Sequence, residues 1–512
     1  MSTYVICLCG NITGTRRLLA DDVLIAFDIL PDDVLLEIFD FYVDEDMREY
    51  FKPFEHNIEK WITLVHVCQR FRSVVSQSPR RLNLRLLCTS RKRVSDTLEI
   101  WPHLPLIIHN NICEDSKLSG LDNIIAALGH NDRVWQVILS SKLGPLTSSQ
   151  FEYVTNSAAM QNPFPELINL RLNVFVLGEL APILPDTFLG GTAPRLRSLA
   201  LDNVPFPGLP KLLLSPTHLT VLDLRNIPRS GYIPPDSMAT SLAAITSLEY
   251  LSLHFRCPQP RFALENRRLP PPPLTRAILP SLTRIRFQGT SEYLEAILAR
   301  IDAPLLGELL ISFFNQIIFD TPQLFQLISR TPALRAPEKG YITSTNKAIV
   351  VKFPRSPSYS VLGVEIRCTM PEWQLSSLEQ VCTSSLPPVS TLEDLYIFED
   401  RRYPQRWQDD VDNTLWLELL HPFATVKNLY LCEKFVPRIA PALQELVGAR
   451  TTEVLPTLEN IFLEGVQPLT SLQKGLKKFI AARLLTSHPV AVSRWDKDPV
   501  QHYYPSYARY IT

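Results

Sequence analysis

The sequence predicts an α/β protein: a small all-α module at the N-terminus, followed by an irregular solenoid with a parallel sheet and outer helices. Three observations carry that expectation. An apolar–x–x–apolar–x–apolar pattern returns along most of the chain, at spacings of about 23 to 34 residues. Forty-three prolines against 17 glycines punctuate it, as expected where many short elements are joined by turns. The stretch ahead of residue 100 follows a different, helical periodicity. At 512 residues the chain exceeds one ordinary domain, and its hydrophobic fraction of 46% with 20% charged residues is that of a folded protein.

The first segment, 1–27, reads as an N-terminal extension. Its opening residues are apolar, but no basic region precedes them, so a signal peptide is not expected. The helical module is expected over 28–90. Pro31 followed by Asp32 and Asp33 suits a helix start, since proline fits the first turn and acids complement the positive helix end. Val34, Leu35, Ile38, Phe39 and Tyr42 then recur at helical spacing as one apolar face, leaving Leu36 among Asp32, Asp33, Glu37 and Asp40. A second helix is expected from about Ile58 to Ser76. At 100° per residue its apolar side chains, from Trp61 through Leu64, Val65, Val67, Cys68, Phe71, Val74 and Val75, cover an arc of about 240°. A helix packing on one neighbour needs little more than about 100°. A second wall is therefore required, from the solenoid or from another protein.

These residues carry a resemblance. Ile29-Leu30-Pro31-Asp32-Asp33-Val34-Leu35-Leu36-Glu37-Ile38-Phe39 resembles the opening of an F-box, and Trp61 to Val75 resembles its second half, with Val67-Cys68 ahead of a basic residue and an aromatic. A long insertion from about Asp44 to Glu59, and Phe71 in place of the commoner tryptophan, depart from the pattern. The resemblance implies a Skp-type adaptor as partner and, through it, a cullin–RING ubiquitin ligase of the SCF type. It places the adaptor contact on Leu30, Pro31, Leu35, Leu36, Ile38, Trp61, Leu64, Val67, Cys68 and Phe71. The alternative is an ordinary helical-hairpin core. Leu36 separates the two: burial of Leu36 and of the wide flank of the Trp61 helix against this same chain would remove the argument for a foreign companion.

The array is expected over 100–485. Copies of its pattern begin at Leu167, Leu196, Leu219, Leu248, Leu282, Leu306, Leu392, Val426 and Leu458, and the long gap after Leu306 is expected to hide a further copy. This is the leucine-rich-repeat consensus in a lengthened form. Each alternating triplet reads as a short strand, and strands of successive repeats pair in parallel. Glu292 to Arg300 and Pro322 to Ser329 read as outer helices, Ala348 to Phe353 and Val361 to Cys368 as strands. Prolines just ahead of the strands, at 194, 216, 280, 304 and 456, bias the preceding residue away from the α region. An F-box followed by such proline-marked repeats is similar to the expanded fungal F-box families, in which the repeats select the substrate. A proline-rich loop, 257–277, interrupts the array, and 486–512 is expected to form a C-terminal tail or cap.

The residue between the two strand leucines should face the open side of the sheet. Along the repeats these are Arg171, Ala200, Asp223, Ser252, Arg286, Leu310, Tyr396, Tyr430 and Phe462, and the last three predict an aromatic ladder. Arg171, Arg286, Tyr396, Tyr430 and Phe462 are the candidate substrate contacts. Alternatively the tail from Trp495, with Tyr503, Tyr504, Tyr507 and Tyr510, folds back over the ladder.

No phosphate loop, dinucleotide fingerprint, nucleophile elbow or H-E-x-x-H motif occurs, so no enzyme, cofactor or catalytic residue is expected. Net charge is −1, against the basic surplus of a nucleic-acid binder; Arg80-Arg81 and Arg91-Lys92-Arg93 read as solvated faces. The nine cysteines form no C-x-x-C and no zinc spacing, which suits free thiols in the cytoplasm or nucleus. No apolar run approaches membrane-span length. The expected function is substrate recognition for a ubiquitin ligase. The alternative is a protein-binding repeat scaffold, without any ligase, whose helical module caps the first repeat.

Overall fold

The computed structural model of the protein describes residues 30–44, 60–91, 94–101, 103–110, 120–139, 146–175, 181–258, 276–316, 319–355, 360–384, 386, 389, 391–400, 403, 412–446, 448–464 and 469–495. The 1–27 extension, the insertion beyond Asp44, most of the proline-rich loop, Cys7, Cys9, Cys113 and the tail beyond Trp495 lie outside them. The chain divides into two compact units, Met1–Pro216 and Thr217–Thr512.

In the N-terminal unit the described residues of the helical module form three helices, α1 (Asp32–Asp44), α2 (Lys60–Val65) and α3 (Gln69–Gln77). The expected long second helix breaks at Cys68, whose backbone is extended and whose Sγ accepts the Phe71 N–H at 3.4 Å, capping α3. The break divides the wide apolar arc between two short helices, each with its own inner side. Leu35, Leu36 and Phe39 point into the module, where Phe39 meets Phe71 edge-on at 4.8 Å. Arg81 answers the acids of α1, lying 2.5 Å from Glu37 and within 4.0 Å of Asp33 and Asp40.

Strands begin earlier than residue 100. β1 (Leu86–Thr89), α4 (Val94–Ile100), β2 (Leu106–His109), α5 (Leu121–Leu128) and β3 (Val134–Leu139) precede β4 (Leu146–Thr147), α6 (Ser148–Thr155), β5 (Asn169–Phe175), β6 (Ser198–Asp202) and α7 (Leu209–Leu212). The order β1–β2–β3–β5–β6 is parallel throughout, with β4 beside β5. The second wall sought for Trp61 is part of this unit. Its Nε1 donates to the Arg85 carbonyl at 3.0 Å, and Trp101 meets its ring at 4.9 Å.

The C-terminal unit begins with β7 (Val221–Ile227), α8 (Pro235–Ala243), β8 (Tyr250–Phe255), β9 (Ala277–Ile278), β10 (Arg284–Gly289), α9 (Ser291–Leu298), β11 (Ile301–Asp302), β12 (Glu308–Phe314) and α10 (Pro322–Arg330). It continues with β13 (Lys339–Ser344), β14 (Ala348–Arg355), β15 (Ser360–Arg367), α11 (Pro371–Ser384), β16 (Asp394–Glu399) and α12 (Asn413–Leu420). It ends with β17 (Asn428–Leu431), α13 (Val436–Gln444), β18 (Asn460–Glu464), α14 (Leu469–Leu485) and β19 (Ala491–Trp495). β7, β8, β10 and β12 pair in parallel and in sequence. β12 then pairs with β15, β15 with β14, β14 with β13 and β13 with β16, before the order resumes through β17 and β18 to β19. Among the described strands only β14 runs antiparallel. The long gap after Leu306 thus holds a three-strand meander laid down in reverse, not a hidden copy of the repeat.

The prolines ahead of the strands act through a tight turn. The Leu196, Leu282, Leu306 and Leu458 amides each donate to the carbonyl of the residue before proline, at 3.1 to 3.3 Å. Proline at the second position of such a turn fixes φ in advance. A hydroxyl next to the turn stitches neighbours together: Ser247 Oγ, Thr425 Oγ1 and Thr457 Oγ1 donate to carbonyls of Thr217, Leu392 and Val426, at 3.0 to 3.1 Å. On the helix-bearing side, leucines and isoleucines of each strand are buried, among them Leu222, Leu251, Ile285, Leu309, Leu395, Leu429 and Ile461. A core of this kind is a stack, in which no repeat buries its own apolar face alone.

Candidate protein-interaction surfaces

The residues between the strand leucines form one row across the C-terminal unit. Strand pairing sets Asp223 beside Ser252, Ser252 beside Arg286, Arg286 beside Leu310, Leu310 beside Gly363, Gly363 beside Lys352 and Lys352 beside Tyr341. The row continues from Tyr341 through Tyr396, Tyr430 and Phe462 to Ser493. Arg171 occupies the equivalent place in the N-terminal unit, between Ile138 and Ala200.

Four rings stack along this row. Centroids lie 4.7 Å apart from Tyr341 to Tyr396, 4.1 Å from Tyr396 to Tyr430 and 4.5 Å from Tyr430 to Phe462, with planes within 10° of parallel. In-register parallel pairing produces this directly, because neighbouring strands are about 4.8 Å apart. Tyr341 was hidden in the sequence: Gly340 stands where the repeat has a leucine. Sequence-based expectation therefore gave three rings where there are four. Beside the ladder, Asn460 Nδ2 donates to Asn428 Oδ1 at 2.9 Å, and Asn428 Nδ2 donates to Asp394 Oδ1 at 2.7 Å. Burial, with the neighbouring phenols and Asp394 acting the same way, holds the Tyr396 hydroxyl far above its usual range, so the ladder is uncharged.

Trp495 sits on the ladder, 5.8 Å from Tyr396 and 5.5 Å from Tyr430. A strand, β19, within the segment expected to form a C-terminal tail or cap, therefore covers part of the surface. The remaining tyrosines of that tail, Tyr503, Tyr504, Tyr507 and Tyr510, lie outside the described residues.

The other half of the row is charged. Arg225 pairs with Asp223 at 2.8 Å, Arg286 with Glu308 at 2.8 Å and Arg367 with Glu365 at 3.5 Å. Arg284 and Arg286 approach the Tyr250 ring at 5.6 and 5.7 Å. Burial, reinforced by Arg225, Arg286 and Arg367, pushes the His254 pKa down to about 4, against the opposing pull of Asp223. Of this cluster, sequence reasoning had singled out Arg286 as a contact; the rest becomes legible only once strand order is known.

In the helical module the expected contact residues separate into two groups. Leu35, Leu36, Trp61, Leu64 and Phe71 are buried, Leu36 at 7% exposure and Trp61 at 0%, so they hold the module together. This corrects the expectation for Leu36, which is buried within the chain, and both observations meant to separate the readings fall on the side of a self-sufficient core. Leu30, Val67 and Cys68 are partly exposed, Pro31 and Ile38 exposed. The uncovered apolar stripe of α1 is instead Val34 (42% exposed), Ile38 (43%), Phe41 (74%) and Tyr42 (41%). At 100° per residue these line up with Leu30 and Pro31 along one side of the helix.

Asp412, from the acidic cluster at 409–412, caps α12 by accepting the Thr414 N–H at 2.9 Å; its companions lie outside the described residues. Among the described residues no group of three metal-ligating side chains occurs, and no helix is long and apolar enough to cross a membrane. Cys68, Cys88, Cys257, Cys368, Cys382 and Cys432 are free thiols.

No protein-family model matches the chain, and no curated protein matches it. Among solved structures it is similar to the leucine-rich repeat-containing protein LegL7 from Legionella pneumophila, at 13% identity and a TM-score of 0.26, over 77% of this chain and 97% of that one. The repeat architecture therefore rests on the strand pairing described above.

Proposed function

We propose that this chain is a non-catalytic protein-binding repeat scaffold that links a captured protein to a ubiquitin ligase. Capture is assigned to the ladder-bearing face of the C-terminal unit, and docking on a Skp-type adaptor to the helical module. The observation that carries the docking half is the apolar stripe of α1, with Phe41 74% exposed on a 13-residue helix that follows an F-box-like Leu30-Pro31. Four large apolar side chains along one helix face are out of place unless something covers them. The adaptor contact is accordingly reassigned: Leu30, Pro31, Ile38, Val67 and Cys68 stay, Val34, Phe41 and Tyr42 join, and the buried five leave. Catalysis in such an assembly comes from the ligase; the scaffold contributes a high effective concentration of substrate.

Co-purification with a Skp-type protein tests this. Charged replacements of Leu35 or Trp61 would unfold the module and decide nothing, so the informative variants are Ile38→Asp and Phe41→Asp. Retained folding with lost co-purification supports docking. If the native chain brings down no such adaptor, or the variants bring it down as well as the native chain, docking fails and the protein-binding scaffold remains.

A further inference from the structure

We infer that the ladder-bearing face receives an extended acidic peptide segment of its partner, carboxylates over the arginines of β7, β10 and β15 and an apolar or aromatic residue at the ladder. The inference rests on the capture half of the proposed function and is independent of the docking half.

Charge argues for it first. From β7 to β14 the open side of the sheet carries Arg225, Arg284, Arg286, Lys352 and Arg367 against Asp223, Glu308 and Glu365. Asp400 acts on Lys352 together with Glu365, so among the described residues five cations meet four carboxylates, leaving one in surplus, and Arg284 and Arg367 are exposed. The carboxylates do not neutralise the patch; Asp223, Glu308 and Glu365 orient guanidinium groups, which is what bidentate recognition of a further carboxylate requires. His254 in the middle is uncharged at neutral pH.

The ladder argues for a peptide over a nucleic acid. Six of its eight ring faces are taken by one another at 4.1 to 4.7 Å, which leaves only the outer faces of Tyr341 and Phe462 for a base, whereas the row of ring edges suits apolar side chains. A net surplus of one charge is also slight for a phosphate backbone. Geometry sets the spacing. From Arg286 to Tyr396 the row crosses β12, β15, β14 and β13, five inter-strand steps of about 4.8 Å, or roughly 24 Å. An extended segment at about 3.3 Å per residue covers that with about seven residues.

The test is selection of a displayed library of random sixteen-residue peptides on the full chain. Enriched sequences are expected to carry acidic residues about seven positions from an aromatic or aliphatic one. A synthetic enriched peptide should lose at least tenfold in affinity toward R284Q/R367Q, a similar factor when its glutamates become glutamines, and nothing toward Ile38→Asp. Melting temperature and the circular dichroism spectrum establish that R284Q/R367Q is folded; if it is not, the peptide's own glutamine version carries the test. No enrichment, enrichment without acidic residues, unchanged binding to R284Q/R367Q, or displacement of the peptide by a single-stranded oligonucleotide at equal concentration would each overturn it. Absence of enrichment on a native chain that still co-purifies with a Skp-type protein refutes this inference alone.

Discussion

Removal of Trp495 or Tyr430 measures how firmly the chain's own end is seated on the ladder. Tyr430 has three ring neighbours, Tyr396 at 4.1 Å, Phe462 at 4.5 Å and Trp495 at 5.5 Å. Aromatic pairs contribute about 0.5–1.5 kcal/mol each beyond burial, so Tyr430→Ala should cost about 3 kcal/mol. Trp495 has two such neighbours, Tyr396 and Tyr430, and Trp495→Ala should cost about 2 kcal/mol. The double variant should fall short of the sum by about 1 kcal/mol, the Tyr430–Trp495 pair being counted once. Urea unfolding followed by far-ultraviolet circular dichroism gives all four corners of the cycle. A coupling within about 0.3 kcal/mol of zero would mean that the indole does not rest on the phenol, and the cap would be refuted. Peptide capture by the same proteins separates cap from recognition surface. If Trp495→Ala strengthens capture and Tyr430→Ala abolishes it, the end strand competes with the partner; if only stability changes, the ladder is structural.

Four further outcomes are expected. The His254 pKa falls from 6.5 to about 4 on folding, so the unfolded chain binds the proton first, and stability is lost as pH drops from 6.5 toward 4. The full effect, about 3 kcal/mol, shrinks to roughly 2 for a partly exposed ring, and His254→Gln should remove that share of the acid sensitivity in urea midpoints. Gly340→Ala should cost about 2–3 kcal/mol, since its Cβ would lie 2.8 Å from the fully buried Leu392 Cδ2 and 3.2 Å from the Phe353 ring. Gly363→Ala should cost less in the same assay, because its 2.8 Å clash is with the end of Leu310, which can turn away. Arg483 is fully buried and donates to the Leu455 and Pro456 carbonyls; Arg483→Met should lower stability by about 2–4 kcal/mol, read as a reduced urea midpoint.

Much of the C-terminal unit was legible because the repeat is a local code. Leucines at Leu219, Leu248, Leu282, Leu392 and Leu458 marked the strands, and the residue between each later pair fell in one row, as in-register parallel pairing demands. The helices α9 and α10 and the strands β14 and β15 were visible for the same reason. Strand order was not, since nothing in Ala348 to Phe353 says which neighbour it will meet or in which direction. The early strands escaped because β2 is buried along its whole length, so Leu106, Ile107 and Ile108 show no alternation. In the helical module both sides of α1 are apolar, and periodicity alone could not say that Leu36 turns inward and Ile38 outward. Arg81, which follows α3 in sequence, pairs with Glu37 on that acidic edge, a contact that helical periodicity does not announce. The second wall for Trp61 was foreseen as a need, but its supplier, Arg85 and Trp101, lies beyond the motif that created the need.

The reversed meander has a consequence for how the unit is made. β12 has β10 on one side, but the neighbour on its other side is β15, which leaves the ribosome about 46 residues later; at about 5–20 residues per second that flank of β12 stays bare for some seconds. A bare flank is a template for any other extended segment. Assembly here cannot proceed by adding one repeat to the last, as in a uniform solenoid, and must wait for a non-local closure. Truncation after α10 would leave that flank permanently open, so shortened forms ending near residue 335 should associate through β12.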